Sequence, residues 1–287
     1  MRPLWFCMDA RTRGGRGPGG DGGDVRYGVI SDVHANLPAL DAVLAALRRI
    51  GVDAYACAGD LVGYGPQPNE CVDVVRRLGA ITVAGNHDLI ALGALSEQRC
   101  ERLARESLRW TRDALEDGTR EYLAGLPPRA ELPGGVVVAH GSLGDVQEYV
   151  LRVDEAAAQL ARLAGTHPAA RFLVLGHTHR ALASDGRAAA RASGRVALGG
   201  AERWLLNPGA VGQSREPLVR ARFMVLDTER REASFHAVRY DVRRTRSLLR
   251  RHGLPARSVH LAPWRPKALV RPVVRAARGA GARVRRS

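Results

Sequence analysis

Five short motifs in this 287-residue chain carry side chains of the kinds that ligate divalent cations: Ser31-Asp32-Val33-His34, Gly59-Asp60, Gly85-Asn86-His87-Asp88, His140-Gly141 and Gly176-His177-Thr178-His179. Carboxylate, carboxamide and imidazole donors without a thiolate suit borderline or hard ions such as Mn²⁺, Fe²⁺, Co²⁺ or Zn²⁺. The candidate ligands are Asp32, His34, Asp60, Asn86, His140, His177 and His179. That set serves two ions if one carboxylate bridges them, and Asp60 is the choice for the bridge. Two cations about 3.5 to 4 Å apart lower the pKa of a bridging water towards neutrality, so such a centre can supply hydroxide without a protein nucleophile. Singly the motifs are weak, since Gly-Asp is mostly a turn and a His after a strand is mostly a satisfied core residue. Asn-His-Asp directly after a buried strand, and two imidazoles at alternate positions, have fewer structural uses. Five such motifs, each at a strand end, are poorly explained by folding alone.

Each motif follows a short apolar run: VRYGVI, Ala54 to Ala58, Ala80 to Ala84, Gly135 to Ala139 and Arg171 to Leu175. These runs read as strands. Leu37 to Ile50, with Leu40, Val43, Leu44 and Leu47 at helical spacing and Gly51 behind it, reads as a helix, as does Glu70 to Leu78. The alternation predicts an α/β fold of parallel strands with helical crossovers. In an open sheet of that kind, ligands gather outside the carboxyl ends of the strands. Side chains at i and i+2 of an extended segment point the same way, so Asp32 with His34, and His177 with His179, are expected as pairs presented from extended backbone. A charged helical insertion from Ser96 to Leu126, with Leu103, Trp110, Leu115 and Leu123 inward and Pro127-Pro128 behind it, is placed to cap the site. Segments around Val196 to Leu198, Arg203 to Leu206, Phe223 to Asp227 and Ala233 to Val238 predict a more antiparallel second half.

Hydrophobic content of 45% and charged content of 25% are those of a folded chain, and the length suits one large domain. The formal charge of +15 is unevenly spread, because Val242 to Ser287 holds fourteen Arg or Lys and no Asp or Glu. The rest of the chain is close to neutral. A solvated basic end is the favoured reading, and nucleic-acid contact through that tail, driven by counterion release, the lesser one. The expected organisation is a disordered Gly/Arg-rich leader at 1–24, a domain at 25–262 and a basic low-complexity tail at 263–287. Cys7, Cys57, Cys71 and Cys100 form no CxxC pair, no apolar run reaches the roughly 18 residues of a membrane span, and Pro3 to Met8 is too short for a secretory signal. A cytoplasmic protein with reduced thiols and no membrane contact is therefore expected.

In order and spacing, these motifs resemble the calcineurin-like metallophosphoesterase superfamily, from Arg26 to about Tyr240. The stretches SDVHANLPAL, GDLVGYGPQPNEC, AGNHD and NPGAVGQSRE are similar to its branch of small bacterial and archaeal phosphodiesterases. The resemblance implies a four-layer α/β/β/α sandwich with a helical cap insertion and a dimetal centre at its strand ends. It assigns Asp32, His34, Asp60 and His179 to one metal and Asp60, Asn86, His140 and His177 to the other, with Mn²⁺ the first choice and Fe²⁺, Co²⁺, Zn²⁺ or Ni²⁺ as alternatives. It makes His87 the general acid rather than a ligand. Asp88 would orient His87 or a ligand, or simply cap a helix. Asn207 to Arg215 is a second candidate for the pocket, its Pro-Gly turn offering backbone amides, or Arg215, to a phosphate. The implied substrate is a small phosphorylated molecule, a nucleotide-type phosphodiester or phosphoanhydride. A protein phosphatase of the same superfamily is the nearest rival, but its branch carries GDxVDRG where this chain has GDLVGYG, without that Asp or Arg; the departure also leaves His87 without a carboxylate partner there. A non-catalytic interaction module on this fold would be expected to have lost ligands, whereas all seven and His87 are present.

Overall fold

The computed structural model describes residues 25–261, so the expected leader and the tail at 263–287 lie outside the described residues. In chain order the elements are β1 (Arg26–Ile30), α1 (Leu37–Ile50), β2 (Ala54–Cys57), α2 (Pro68–Arg77), β3 (Ile81–Thr82), α3 (Asn86–Ala91), α4 (Arg102–Ala114), α5 (Asp117–Ala124), β4 (Arg129–Leu132), β5 (Val136–Ala139), α6 (Val153–Thr166), β6 (Phe172–Val174), β7 (Ala181–Ser184), β8 (Ala189–Arg191), β9 (Gly194–Ala197), β10 (Trp204–Pro208), β11 (Ala221–Asp227), β12 (Glu232–Val238) and α7 (Val242–Arg251). Helix α1 shows why the local sequence suffices. Asn36 caps it by accepting from Ala39 N–H, Pro38 stands in the first turn, Arg48 and Arg49 face the negative end, and Gly51 closes it at φ 77°.

The strands form two six-stranded sheets, ordered β3-β2-β1-β11-β12-β9 and β4-β5-β6-β10-β7-β8. The parallel strands thus divide between two sheets, as the family resemblance implies, and do not share the single open sheet that alternation alone suggests. Strand alternation is the physical reason. In β1, Tyr27 and Val29 enter one cluster while Ile30 enters another; in β5, Val136 and Val138 join Tyr27 and Val29, while Val137 and Ala139 turn away. The shared cluster, which adds Ala58, Phe172, Val174, Leu206 and Met224, therefore lies between the sheets. Helices α1 and α2 and the insertion cover the outer face of the first sheet, and α6 covers the second with Ala156, Leu160 and Leu163. The later strands are mostly antiparallel, as expected: β11 to β1, β12 to β11, β9 to β12 and β7 to β10.

The insertion is helical, formed by a 3-10 turn at Glu97–Arg99, then α4 and α5. Leu103, Leu115 and Leu123 are buried. Trp110 is half-buried, with its ring centroid 5.1 Å from that of His252, and packs with Leu249, Leu254 and Val259 beyond β12. Among the described residues, no helix is long and apolar enough to cross a membrane.

Candidate metal centre

Both sheets deliver their carboxyl ends to one place. The turns after β1 and β2 carry Asp32, His34 and Asp60; α3, after β3, opens with Asn86 and His87; the turns after β5 and β6 bring His140, His177 and His179 from the opposite sheet. The backbone there is not extended. Asp32, His34, Asp60, His177 and His179 all take left-handed φ values, 54°, 47°, 57°, 63° and 58°. Each pair, expected on extended backbone, is instead aimed by two left-handed turns. Such conformations cost a non-glycine residue roughly 1 kcal/mol or more and persist only where surrounding structure over-determines them. Here the loops hold each other, with Asp32, His34 and Ala35 N–H donating to Gly59, Asp60 and Leu61 carbonyls at 3.0, 3.0 and 2.9 Å. Gly85 lies so close that a Cβ there would fall 2.1 Å from Asp60 Oδ1 and 2.2 Å from its backbone nitrogen.

All seven candidate ligands are buried. Their donor atoms fall into two groups that could each hold a metal ion, Asp32, His34, Asp60 and His179 in one and Asp60, His140 and His177 in the other, with atoms inside each group within 4.8 Å of one another. Asp60 belongs to both. In the first group His34 Nε2 lies 3.1 Å from His179 Nε2 and 3.6 Å from Asp60 Oδ2, and His179 Nε2 lies 3.2 Å from Asp32 Oδ1. In the second, His140 Nε2 lies 3.3 Å from Asp60 Oδ2 and 3.0 Å from Asn86 Oδ1, which places Asn86 beside that group.

The remaining atoms of these side chains fix their orientation. His34, His140 and His179 donate Nδ1–H to the carbonyls of Val62, Ala58 and Gln213 at 3.0, 2.7 and 2.9 Å. A carbonyl only accepts, so each of these rings carries a proton on Nδ1 and turns Nε2 to the centre, as a lone pair in His34 and His179 and, once its second proton leaves, in His140, the arrangement found behind metal-bound imidazoles. Asp32 accepts from Ser31 Oγ–H at 2.7 Å and from His177 N–H at 3.2 Å. Two inward atoms, Asp60 Oδ2 and His177 Nε2, are buried without a hydrogen-bond partner. Buried polar atoms are otherwise nearly always satisfied, so these orphans and the donor chemistry fit a pair of divalent cations.

Burial pulls the His34 imidazole down to about 4 and that of His177 to about 3, and lowers His179 well below its ordinary range. All three are neutral at pH 7, with lone pairs available. His140 goes the other way: burial opposes its charge, but the adjacent Asp60 carboxylate outweighs that and raises it to about 9. Reciprocally, burial would raise Asp60, yet His140, then His87 and His34, hold its carboxyl well below the usual range.

His87 borders the ligands without joining either group. Its ring centroid lies 4.7 Å from those of His34 and Tyr64, and its Nδ1 is buried without a partner. Gly63, at φ 86°, faces that atom, and a Cβ there would lie 2.3 Å from it. No carboxylate-bearing residue can stand at position 63 with His87 where it is, which argues against the protein-phosphatase arrangement. Asp88 does not partner His87 either. Its two oxygens accept backbone N–H groups from Asp60, Gly85 and Val62 at 2.9, 2.9 and 3.1 Å. It thereby caps α3 and holds the backbone of the turn that carries Asp60. Burial first, and then the nearby Asp60 charge, push its carboxyl up to about 7.

The Asn207–Arg215 segment reaches the same place, and several of its amides are engaged within the fold: Gly209 N–H goes to Asn207 Oδ1, and Val211 and Gly212 N–H to the carbonyls of Ser31 and Asp32. Arg215 remains as the group able to meet a phosphate. Its Nε donates to Gln213 Oε1 at 3.1 Å and its Nη1 to Tyr149 Oη at 3.2 Å. Tyr64, Tyr149 and Gln213 were not singled out by the sequence. Tyr64 lies inside the GDLVGYG stretch, whereas Tyr149 sits in an aperiodic loop with no signal of its own.

A two-sheet α/β fold with this donor set at its strand ends defines a metal-dependent phosphoesterase, and the chain belongs to the calcineurin-like phosphoesterase superfamily, whose domain pattern matches residues 25–231. It is similar to a metallophosphoesterase from Sphaerobacter thermophilus, with 35% identity, coverage of 83% of this chain and 97% of that one, and a TM-score of 0.71. An uncharacterised protein of Methanocaldococcus jannaschii is 29% identical over 236 residues, 79% of this chain and 93% of its own. A hypothetical protein from Pyrococcus horikoshii OT3 shares the fold at 19% identity, covering 82% of this chain and 96% of its own, with a TM-score of 0.68.

Proposed function

We propose that the protein hydrolyses phosphodiester or phosphoanhydride bonds in small nucleotide-type substrates at a two-metal centre. The observation that carries this reading is the Asp60 carboxylate common to two buried donor groups, its Oδ2 making no hydrogen bond and lying 3.3 Å from His140 Nε2 and 3.6 Å from His34 Nε2. Asp32, His34, Asp60 and His179 would hold one ion, and Asp60, Asn86, His140 and His177 the other; Mn²⁺ is our first choice. Such ions, when bound, acidify water and neutralise phosphate oxygens. The chain's own groups do the rest. Arg215 meets a phosphate oxygen at the rim. Burial lowers His87 to about 3; the incoming negative charge of the substrate would raise it, so that it gives its proton to the leaving oxygen. Asp88 is a positioning residue, keeping Asp60 in place through the backbone. A substrate screen with Mn²⁺, Fe²⁺, Co²⁺, Zn²⁺ and Ni²⁺, comparing dinucleoside polyphosphates, cyclic nucleotides and phosphomonoesters, tests the reading. The Asp60→Ala variant should lose nearly all turnover and metal; retained hydrolysis in it would overturn the bridging assignment.

A further inference from the structure

We infer that Tyr149 is the specificity-determining residue of this site, a plate on which the base of a nucleotide stacks while its phosphate faces the metal ligands. The inference rests on the phosphoesterase reading and adds what that reading lacks, a group that recognises the part of the substrate that does not react.

Tyr149 is the one exposed large aromatic among the described residues, with 44% of its surface open. It stands at the edge of the centre, its ring centroid 4.2 Å from that of His177, with the planes tilted by 48°. One side of the ring therefore packs on a candidate ligand while the rest stays open. Its hydroxyl accepts from Arg215, which is itself held by Gln213, and the backbone carbonyl of Gln213 holds His179. A flat open ring and the rim guanidinium thus share one contact, beside two imidazoles of the centre. A ligand that satisfies both carries a phosphate and a planar ring close together, which is the description of a nucleotide.

The ring is mounted on a built loop. Ser142 N–H and Asp145 carbonyl meet at 3.0 Å, Asp145 Oδ1 accepts Gln147 N–H at 2.8 Å, and the neighbouring Val150 is buried. Arg99, from the turn before α4, donates to Asp145 Oδ2 at 2.8 Å and to Gln147 carbonyl at 3.3 Å. The helical insertion is thereby tied to the Tyr149 loop across the two sheets. An aromatic side chain held in place before binding loses little entropy when a base stacks on it.

The test compares inhibition of bis-p-nitrophenyl phosphate hydrolysis by AMP and by ribose 5-phosphate, which differ by the base. In the natural protein AMP should inhibit about tenfold more tightly, the scale of one base on one aromatic ring. Tyr149→Phe keeps the ring and should keep that ratio; Tyr149→Leu should bring it close to one. In Tyr149→Trp, indole fluorescence should be quenched by AMP and not by ribose 5-phosphate, a readout that does not depend on turnover. Equal inhibition in the natural protein, or a ratio unchanged in Tyr149→Leu, overturns the inference. Turnover of bis-p-nitrophenyl phosphate itself tests the underlying phosphoesterase reading separately.

Discussion

The floor and the rim of the centre are built by different means. On the floor, side chains answer to backbone: three imidazoles donate to the carbonyls of Ala58, Val62 and Gln213, Asp88 gathers three amides, and five candidate ligands sit on left-handed residues held by neighbouring loops. On the rim, side chains answer to side chains, as in Arg215 with Tyr149, Arg215 with Gln213 and Arg99 with Asp145. A floor residue cannot be altered without moving the strand ends that carry it, whereas a rim contact can be exchanged with little cost to the fold. On the proposed reading the floor sets the reaction, and the rim sets what is turned over.

Gly85→Ala should break this contrast most severely, because the added Cβ meets both the carboxylate and the backbone of Asp60. Overpacking of this kind costs about 1–3 kcal/mol, a drop of roughly 3–10 °C in melting temperature. Metal analysis should show both ions weakened together, since Asp60 is common to both groups; a variant that melts normally and stays fully loaded would show that the floor yields after all. Asp88→Asn comes next. It sets an amide NH₂ against backbone donors, and metal titration should register a loss of about 10–100-fold in affinity, with the preference for AMP over ribose 5-phosphate intact. Arg215→Lys belongs to the rim. Losing the planar fork should raise KM by about tenfold while metal content stays unchanged; a fall in bound metal would erase the distinction between floor and rim.

The smallest effect concerns protons. His34 and His177, lowered to about 4 and about 3, add stability that is complete above their ordinary pKa of 6.5 and is lost as pH falls below it. His140, raised from 6.5 to about 9, adds stability that is complete below 6.5 and is lost as pH rises through 9. Metal-stripped protein should therefore melt highest near neutral pH and lower on both sides. Loading at pH 8 should displace the His140 proton, with calorimetry in buffers of different ionisation enthalpy showing about one proton released. No release would mean that His140 stays out of the coordination.

This contrast also explains what could be read before the fold was seen. Floor residues announce themselves by type, since Asp, Asn and His at the ends of apolar runs have few other uses, and α1, β1 and β5 follow from hydrophobic spacing and capping. The two left-handed turns around Asp32 and His34 were not legible, because residues other than glycine adopt such backbone only under the compulsion of neighbouring loops. The partition into two sheets was legible only through the family resemblance and not from hydrophobic spacing, because it depends on which apolar face meets which. Helix α6 hid behind a small inward face of Ala156, Gln159, Leu160 and Leu163, and α7 behind a run of arginines that buries only Thr245 and Leu249. Tyr149 was silent because a rim residue is defined by what stands beside it in space.

Strand β1 lies between β2 and β11, with Arg26 opposite Asp227 and Met224 opposite Val29. During synthesis, therefore, the strand that ends in Asp32 waits for about two hundred further residues before its second neighbour exists, and long-range pairings of this kind close late. Nascent chains should gain no tight hold on cations until β11 has left the ribosome, so ion capture marks the finished molecule and does not guide its early assembly.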